Sequence, residues 1–210
     1  MATSQPVRGS HLTAVNTMLS AIGEMATTPT ILDAGSSADV VMAKQILDEV
    51  NKEVQGQGWH FNTEYEVEFT PEGDKHIVLG TNIARIDLEA VNSSGLDVIV
   101  KYVSTVTPAE YRLYNKKERT YEFDSTVKAT VVYFYDFIGL PHAAQQYITI
   151  KAARVLQDRT VGAQTLHAYS MNDEFRALAD LRDWEGETAD HSIFDSYSTY
   201  RTIKRGPVIT

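Results

Sequence analysis

The apolar residues change their spacing once, abruptly, at Trp59, and that change restricts the fold more than any other feature. Before it, Leu12, Val15, Leu19 and Ile22, with Met18 alongside, fall on one helical face over Leu12 to Met25; Val40, Ala43, Leu47, Val50 and Val54 do the same up to about Gln57. Gly56 and Gly58 end the second helix. After it, Phe61, Thr63, Tyr65, Val67 and Phe69 alternate with His60, Asn62, Glu64, Glu66 and Glu68, the period of a half-buried strand that stops at Pro71. Thr27 to Ser37, with Pro29 and Gly35, reads as a loop whose Ser36 or Ser37 caps the following helix, and Asp39 suits that helix's first turn.

Short β-like runs follow at His76 to Leu79, Ile83 to Leu88, Asp97 to Val103, Tyr111 to Tyr114, Thr120 to Phe123 and Ala129 to Phe137, with turn formers at Asn92 to Gly95. They predict one antiparallel sheet. Pro141 then opens a third helix in its first turn, with Ala144, Ile148, Ala152 and Val155 on one face and an end at Gly162. A fourth helix runs from Ala163 to about Glu185 on a stripe of Phe175, Leu178 and Leu181, with a break near Ser170. The fold class is α+β: N- and C-terminal helices form a bundle (12–58 and 140–186), an antiparallel β domain is inserted (59–139), residues 1–11 are a flexible arm, and 187–210 an extended tail.

A net charge of −9 opposes binding of nucleic acid through its phosphates, which needs clustered Lys and Arg. The absence of cysteine removes disulfides, thiolate nucleophiles and Cys-type zinc sites. No apolar stretch approaches the roughly 18 residues of a membrane span, and Met1 to Ser10 lacks the order of a signal peptide. The expectation is a protein soluble where it is made, with no membrane partner.

Chemistry is sparse. The common nucleotide, zinc and serine-hydrolase signatures are absent. The six histidines, His11, His60, His76, His142, His167 and His191, are scattered singly, without metal-ligand spacing. No catalytic, cofactor or metal residue is expected. Glu64, Glu66 and Glu68 invite comparison with the paired carboxylates of a glycosidase, but on one strand they share a side, whereas such a pair converges from two elements. Tyr111, Tyr114, Tyr121, Tyr133, Phe134, Tyr135 and Phe137 suit stacking on sugars or bases, yet β-propensity explains aromatic strands without a ligand. Lys151, Arg154 and Arg159 are the densest basic patch, either a polar helix face or a subunit contact.

Residues 12–62 carry a resemblance. Leu12-Thr13-Ala14-Val15-Asn16, Leu19 and Ser20-Ala21-Ile22-Gly23-Glu24, then Ala38-Asp39, Ala43, Ile46-Leu47 and Gln57-Gly58-Trp59-His60-Phe61-Asn62 resemble the tail tubular protein A family, the head-to-tail adaptors of short-tailed phages. The likeness is looser through the strands and from Pro141 to Asp158, and it stops at Asp190. It implies a virion protein, not an enzyme: a ring of about twelve copies, joined to the portal protein on one face and to the tail nozzle (tail tubular protein B) on the other, with tail fibres as a further contact. Genomic DNA would pass through without specific binding, and acidic walls repel phosphate. Trp59 is a candidate anchor, with a buried hinge tryptophan as the alternative; Lys151, Arg154, Arg159, Tyr197 and Tyr200 complete the expected interface, and Arg154→Glu is expected to weaken assembly without unfolding. The competing readings are a tail-associated hydrolase of surface polysaccharide or peptidoglycan and a glycan-binding adhesin.

Overall fold

Ser10 begins the ordered helical part: its hydroxyl accepts the Thr13 N–H at 3.2 Å, capping α1 (His11–Ala21). In a computed structural model of the chain, residues 9–35, 37–88 and 96–188 are described. α1 stops four residues short of the predicted Met25 because Gly23 turns left-handed (φ 81°), and the Gly23 and Glu24 N–H groups close back on Ser20 and Leu19 carbonyls at 3.1 and 3.0 Å. The predicted loop at 27–37 contains a short helix, α2 (Pro29–Ala34), with Pro29 at its start and Gly35 (φ 59°) at its end. Ser37 holds the N-cap position of α3 (Ala38–Gln55) without a side-chain bond, and Ser36 lies outside the described residues.

The strands are β1 (Thr63–Phe69), β2 (Val78–Leu79), β3 (Ile83–Asp87), β4 (Val98–Val103), β5 (Glu110–Asn115) and β6 (Val127–Tyr133). They form two three-stranded antiparallel sheets, ordered β1-β6-β3 and β2-β5-β4, where one sheet was expected. The run 120–123 contributes only isolated bridges, and 134–137 leaves the sheet for a single 3₁₀ turn at Phe137–Gly139. Both strands flanking β6 slip register, between Glu64 and Val67 and between Ile83 and Arg85. The first slip, with Glu66 at φ 55°, breaks the alternation: Tyr65, predicted to face inward, is 61% exposed.

α4 (His142–Thr160) follows Pro141, which occupies the N-cap position rather than the first turn. Its buried face includes Ala144, Ile148 and Ala152 as expected, but Leu156 is buried where Val155 was predicted. α5 (Gln164–Thr188) passes unbroken through Ser170, whose single hydroxyl proton is shared between the Leu166 carbonyl one turn back and Gln157 Oε1, a back-bond the helix carries without breaking. Leu181 is buried, but Phe175, predicted for the same stripe, is 71% exposed. The turn at Asn92 to Gly95 and the tail beyond Thr188 lie outside the described residues.

Two apolar cores result. All five helices enclose the first, centred on Met18, Leu47, Val54, Ile148, Leu156 and Leu181, and Trp59, Phe137 and Leu140 belong to it. The second gathers Ile77, Leu79, Ile86, Leu113, Phe123 and Val131 from the sheets. The chain is thus α+β, helical at both described ends with sheets between.

Candidate functional site

The chain crosses between the cores twice, through residues 55–63 and 133–141, and the crossing is built from amides. Asn51 and Gln55, one turn apart on α3, interrupt its apolar stripe. Gln55 Nε2 donates to Asn51 Oδ1 (2.9 Å) and to the Tyr135 carbonyl (2.8 Å), and its Oε1 accepts the Tyr135 N–H at 2.8 Å. Asn62 is the second bracket: Nδ2 donates to the carbonyls of Gln55 (2.9 Å) and Tyr133 (2.7 Å), and Oδ1 accepts the Trp59 N–H at 2.8 Å. Gln55 and Asn62 are 0% and 1% exposed, so these bonds are shielded from water and each loss leaves a buried group unpaired.

Gly58 makes the approach possible. Its φ is 79°, and a Cβ there would stand 2.9 Å from an Arg85 guanidinium nitrogen and 3.1 Å from a Val132 methyl. Trp59 is 7% exposed and donates its indole N–H to the Val54 carbonyl at 2.7 Å. It stacks on Phe61, which tilts against Trp184 of α5, and the His60 N–H donates to the Glu185 carboxylate. The ring expected as an outward anchor is spent inside its own chain, as the buried alternative required.

The basic patch is likewise committed internally. Lys151 meets Glu53 at 2.8 Å, and Arg159 forks onto Glu49 at 3.0 Å, joining α4 to α3. Arg154 bonds Glu174 of α5 and, at 3.1 Å, Asp158, which also accepts from His167. Arg159 holds the Glu49 carboxyl below its ordinary range by hydrogen bond and charge; the guanidinium of Arg154 is pushed up mainly by its bond to Glu174. Arg154→Glu would press a third carboxylate onto Glu174 and Asp158, so a loss of stability is expected beside any effect on assembly. Tyr197 and Tyr200 lie outside the described residues.

The carboxylates of β1 do not converge. Glu68 pairs with Lys128 at 2.7 Å, Glu66 sits at the bulge, and Glu64 lies beside Tyr133 and Tyr135. Burial, then the Glu64 charge, raises both phenols. The aromatic residues are divided among local pairs, Tyr102 with Tyr111, Tyr114 with Tyr121, Tyr133 with Tyr135, and Phe137 with His11 inside the helical core. Among the described residues no group of three His, Cys, Asp or Glu is placed to hold a metal ion. No described helix is long and apolar enough to cross a membrane.

What remains is an architecture for contact: two cores held at a fixed amide junction, and exposed apolar side chains on α5. The family model described as tail tubular protein matches residues 12–191, which spans both cores and the junction. The chain belongs to the tail tubular protein family. That family is structural, and membership makes this a phage tail component of the virion. A comparison with curated proteins found no match. For a tail tubular protein the sequence reading missed the residues that define the junction: Asn51, Gln55, Asn62 and the clasp from Trp184 and Glu185. The available signal was a pair of amides one turn apart inside an apolar stripe, followed by Gly-Gln-Gly-Trp.

Proposed function

We propose that this tail tubular protein is the ring-forming adaptor between the capsid portal and the tail nozzle of a short-tailed phage, and that it works by assembly and not by catalysis. The observation that carries the reading is the junction. An adaptor must hold two docking surfaces in a fixed relation, and Gln55 and Asn62 tie the end of α3 to Tyr133 at the end of β6 and to Tyr135 just beyond it, through hydrogen bonds that leave neither amide free. The helical part (12–58 with 140–186) and the β part (59–139) serve as the two docking modules, one for the portal and one for the nozzle. The segments before Gly9 and after Thr188 supply contacts to neighbouring subunits or tail fibres. A ring of about twelve copies encloses the genome's path by heterologous contacts. The net charge of −9 keeps DNA sliding rather than adhering.

Size-exclusion chromatography with light scattering tests this on the full chain, alone and mixed with portal complexes and with nozzle complexes of its phage. A ring of many copies seated on the portal, able to recruit the nozzle, is the expected result. A chain that ignores both complexes overturns the reading.

A further inference from the structure

α5 carries two unlike flanks. Met171, Phe175, Leu178 and Arg182 recur at spacings of four, three and four, which keeps them in one line; Phe175 is 71% and Met171 59% exposed, whereas Leu178 is half-buried against the helical core. Helical geometry of about 100° per residue sets this stripe about 150° around the axis from Ser170, Asp173, Ala177 and Asp180. The second flank borders a groove of about 410 Å³ shared with α1 and α4, walled by Ala21, Ile150, Ala153 and Ala177. A benzyl and a thioether side chain fit a space of that size. The groove rim is charged: Arg176 stands 3.8 Å from Asp173, and Arg154 is taken by Glu174 and Asp158. Asp180 takes part in no ion pair among the described residues, and the same holds for Arg182 beside the apolar stripe.

We propose that the occupant of this groove is a second copy of the chain: Phe175 and Met171 of one subunit enter the Ala21/Ala153/Ala177 groove of the next, and Arg182 meets Asp180 across the contact. The proposal rests on the ring reading above and names its subunit contact. Met171 and Phe175, exposed one turn apart, form the apolar foothold a partner would cover. Here the stripe and a small-walled groove lie on separated flanks of one helix, so a copy docked through its stripe still offers its own groove. Such a contact is heterologous, and repetition closes into a ring or continues as a filament. The charges agree, since among the described residues neither Arg182 of the stripe nor Asp180 of the groove has an ion-pair partner.

The chain has no cysteine, so a pair of introduced thiols reports one contact only. The double variant Ala179→Cys, Ser20→Cys keeps Phe175 and places one thiol beside the stripe and one at the groove mouth, with the body of α5 between them in a single chain. Under mild oxidation of the assembled protein it should give a ladder of dimers, trimers and higher multimers on non-reducing gels, and neither single variant should. Phe175→Asp should weaken self-association by at least about tenfold, the range for losing a central aromatic anchor, with its circular dichroism unchanged because the side chain is exposed. If wild-type rings form but the double variant gives no ladder and Phe175→Asp assembles normally, this contact is overturned while the ring stands. If wild-type protein never assembles, alone or on the portal, the ring reading falls and this contact with it. A Phe175→Cys thiol shielded from reagent in the monomer would also overturn the proposal, because its own chain would then cover the stripe.

Discussion

Asn62, like Gln55, meets three obligations with one buried amide. Its amide serves the Trp59 N–H and the carbonyls of Gln55 and Tyr133, all around a residue 1% exposed. Asn62→Ala strands three backbone groups, and at about 1–3 kcal/mol for an orphaned buried group, with partial relief by entering water, the loss of stability should be about 3 kcal/mol. Urea unfolding measures it; a loss under about 1 kcal/mol would mean that the backbone re-pairs without the amide. Gly58 and Gly23 form a controlled pair. Both have φ near +80°, but a Cβ at Gly23 meets open space, whereas at Gly58 it strikes Arg85 and Val132. Alanine should therefore cost about 1–2 kcal/mol at Gly23 from the backbone alone, and at Gly58 the same with a further increment for displacing the Val132 methyl, since the Arg85 guanidinium can swing aside. The sequence displayed Gly58 and Trp59 as a junction because glycine and tryptophan are conspicuous there. The amides stayed hidden, since nothing in Asn or Gln as a letter distinguishes a satisfied buried amide from a solvated one.

At the scale of elements, α4 is held to its neighbours by ion pairs of unequal worth. Arg154 has 20% side-chain exposure between Glu174 and Asp158, so Arg154→Glu should destabilise the chain markedly. The Arg159 and Glu49 side chains are 49% and 58% exposed, and Arg159→Gln should shift the unfolding midpoint little. That outer pair nonetheless sets a sign for pH. Glu49 sits below its ordinary value of 4.5 because Arg159 bonds and attracts it, so its contribution is complete above that value and is lost as the pH falls through the depressed one. Glu68 with Lys128 and Asp124 with Lys75 act in the same direction. Urea midpoints should be level near pH 6 and drop towards pH 3, and Glu49→Gln should make the drop shallower; an equal slope in the variant would exclude Glu49 as a contributor. Period alone showed the long helices at both ends and most of the strands between, but not α2, which lay in a predicted loop, nor that the run 120–123 forms only isolated bridges. What period could not supply was the bulge opposite β6, because an inserted residue leaves the composition of β1 unchanged while turning Tyr65 outward. Nor could it show that Phe175 is exposed: on a helix the same stripe reads as core or as contact, and only the position of α4 decides.

For the whole molecule, the question is whether two cores joined at one place behave as one body. Each has its own buried set, and Gln55, Asn62 and the ring stack of Trp59, Phe61 and Trp184 join them, so cooperativity between the cores is expected to run through these residues. The wild-type chain should then unfold in a single transition, with every probe coincident. Both tryptophans lie in the helical core, so their fluorescence reports that core alone, while hydrogen exchange at Leu113 and Val131 reports the sheets. Replacing Gln55 and Asn62 together by alanine should separate the two signals, the sheets losing protection at lower denaturant than the tryptophan transition, without abolishing either core. Leu156→Ala offers the contrast: it removes about 2–5 kcal/mol from the helical core, and with the junction intact it should lower both signals together. If the double alanine variant still unfolded with coincident probes, coupling would reside in the broader packing of β6 on the bundle. A separation of the transitions would place rigidity in the amides, and the same variant, folded but loosely jointed, should then bind portal and nozzle complexes singly while failing to bridge them.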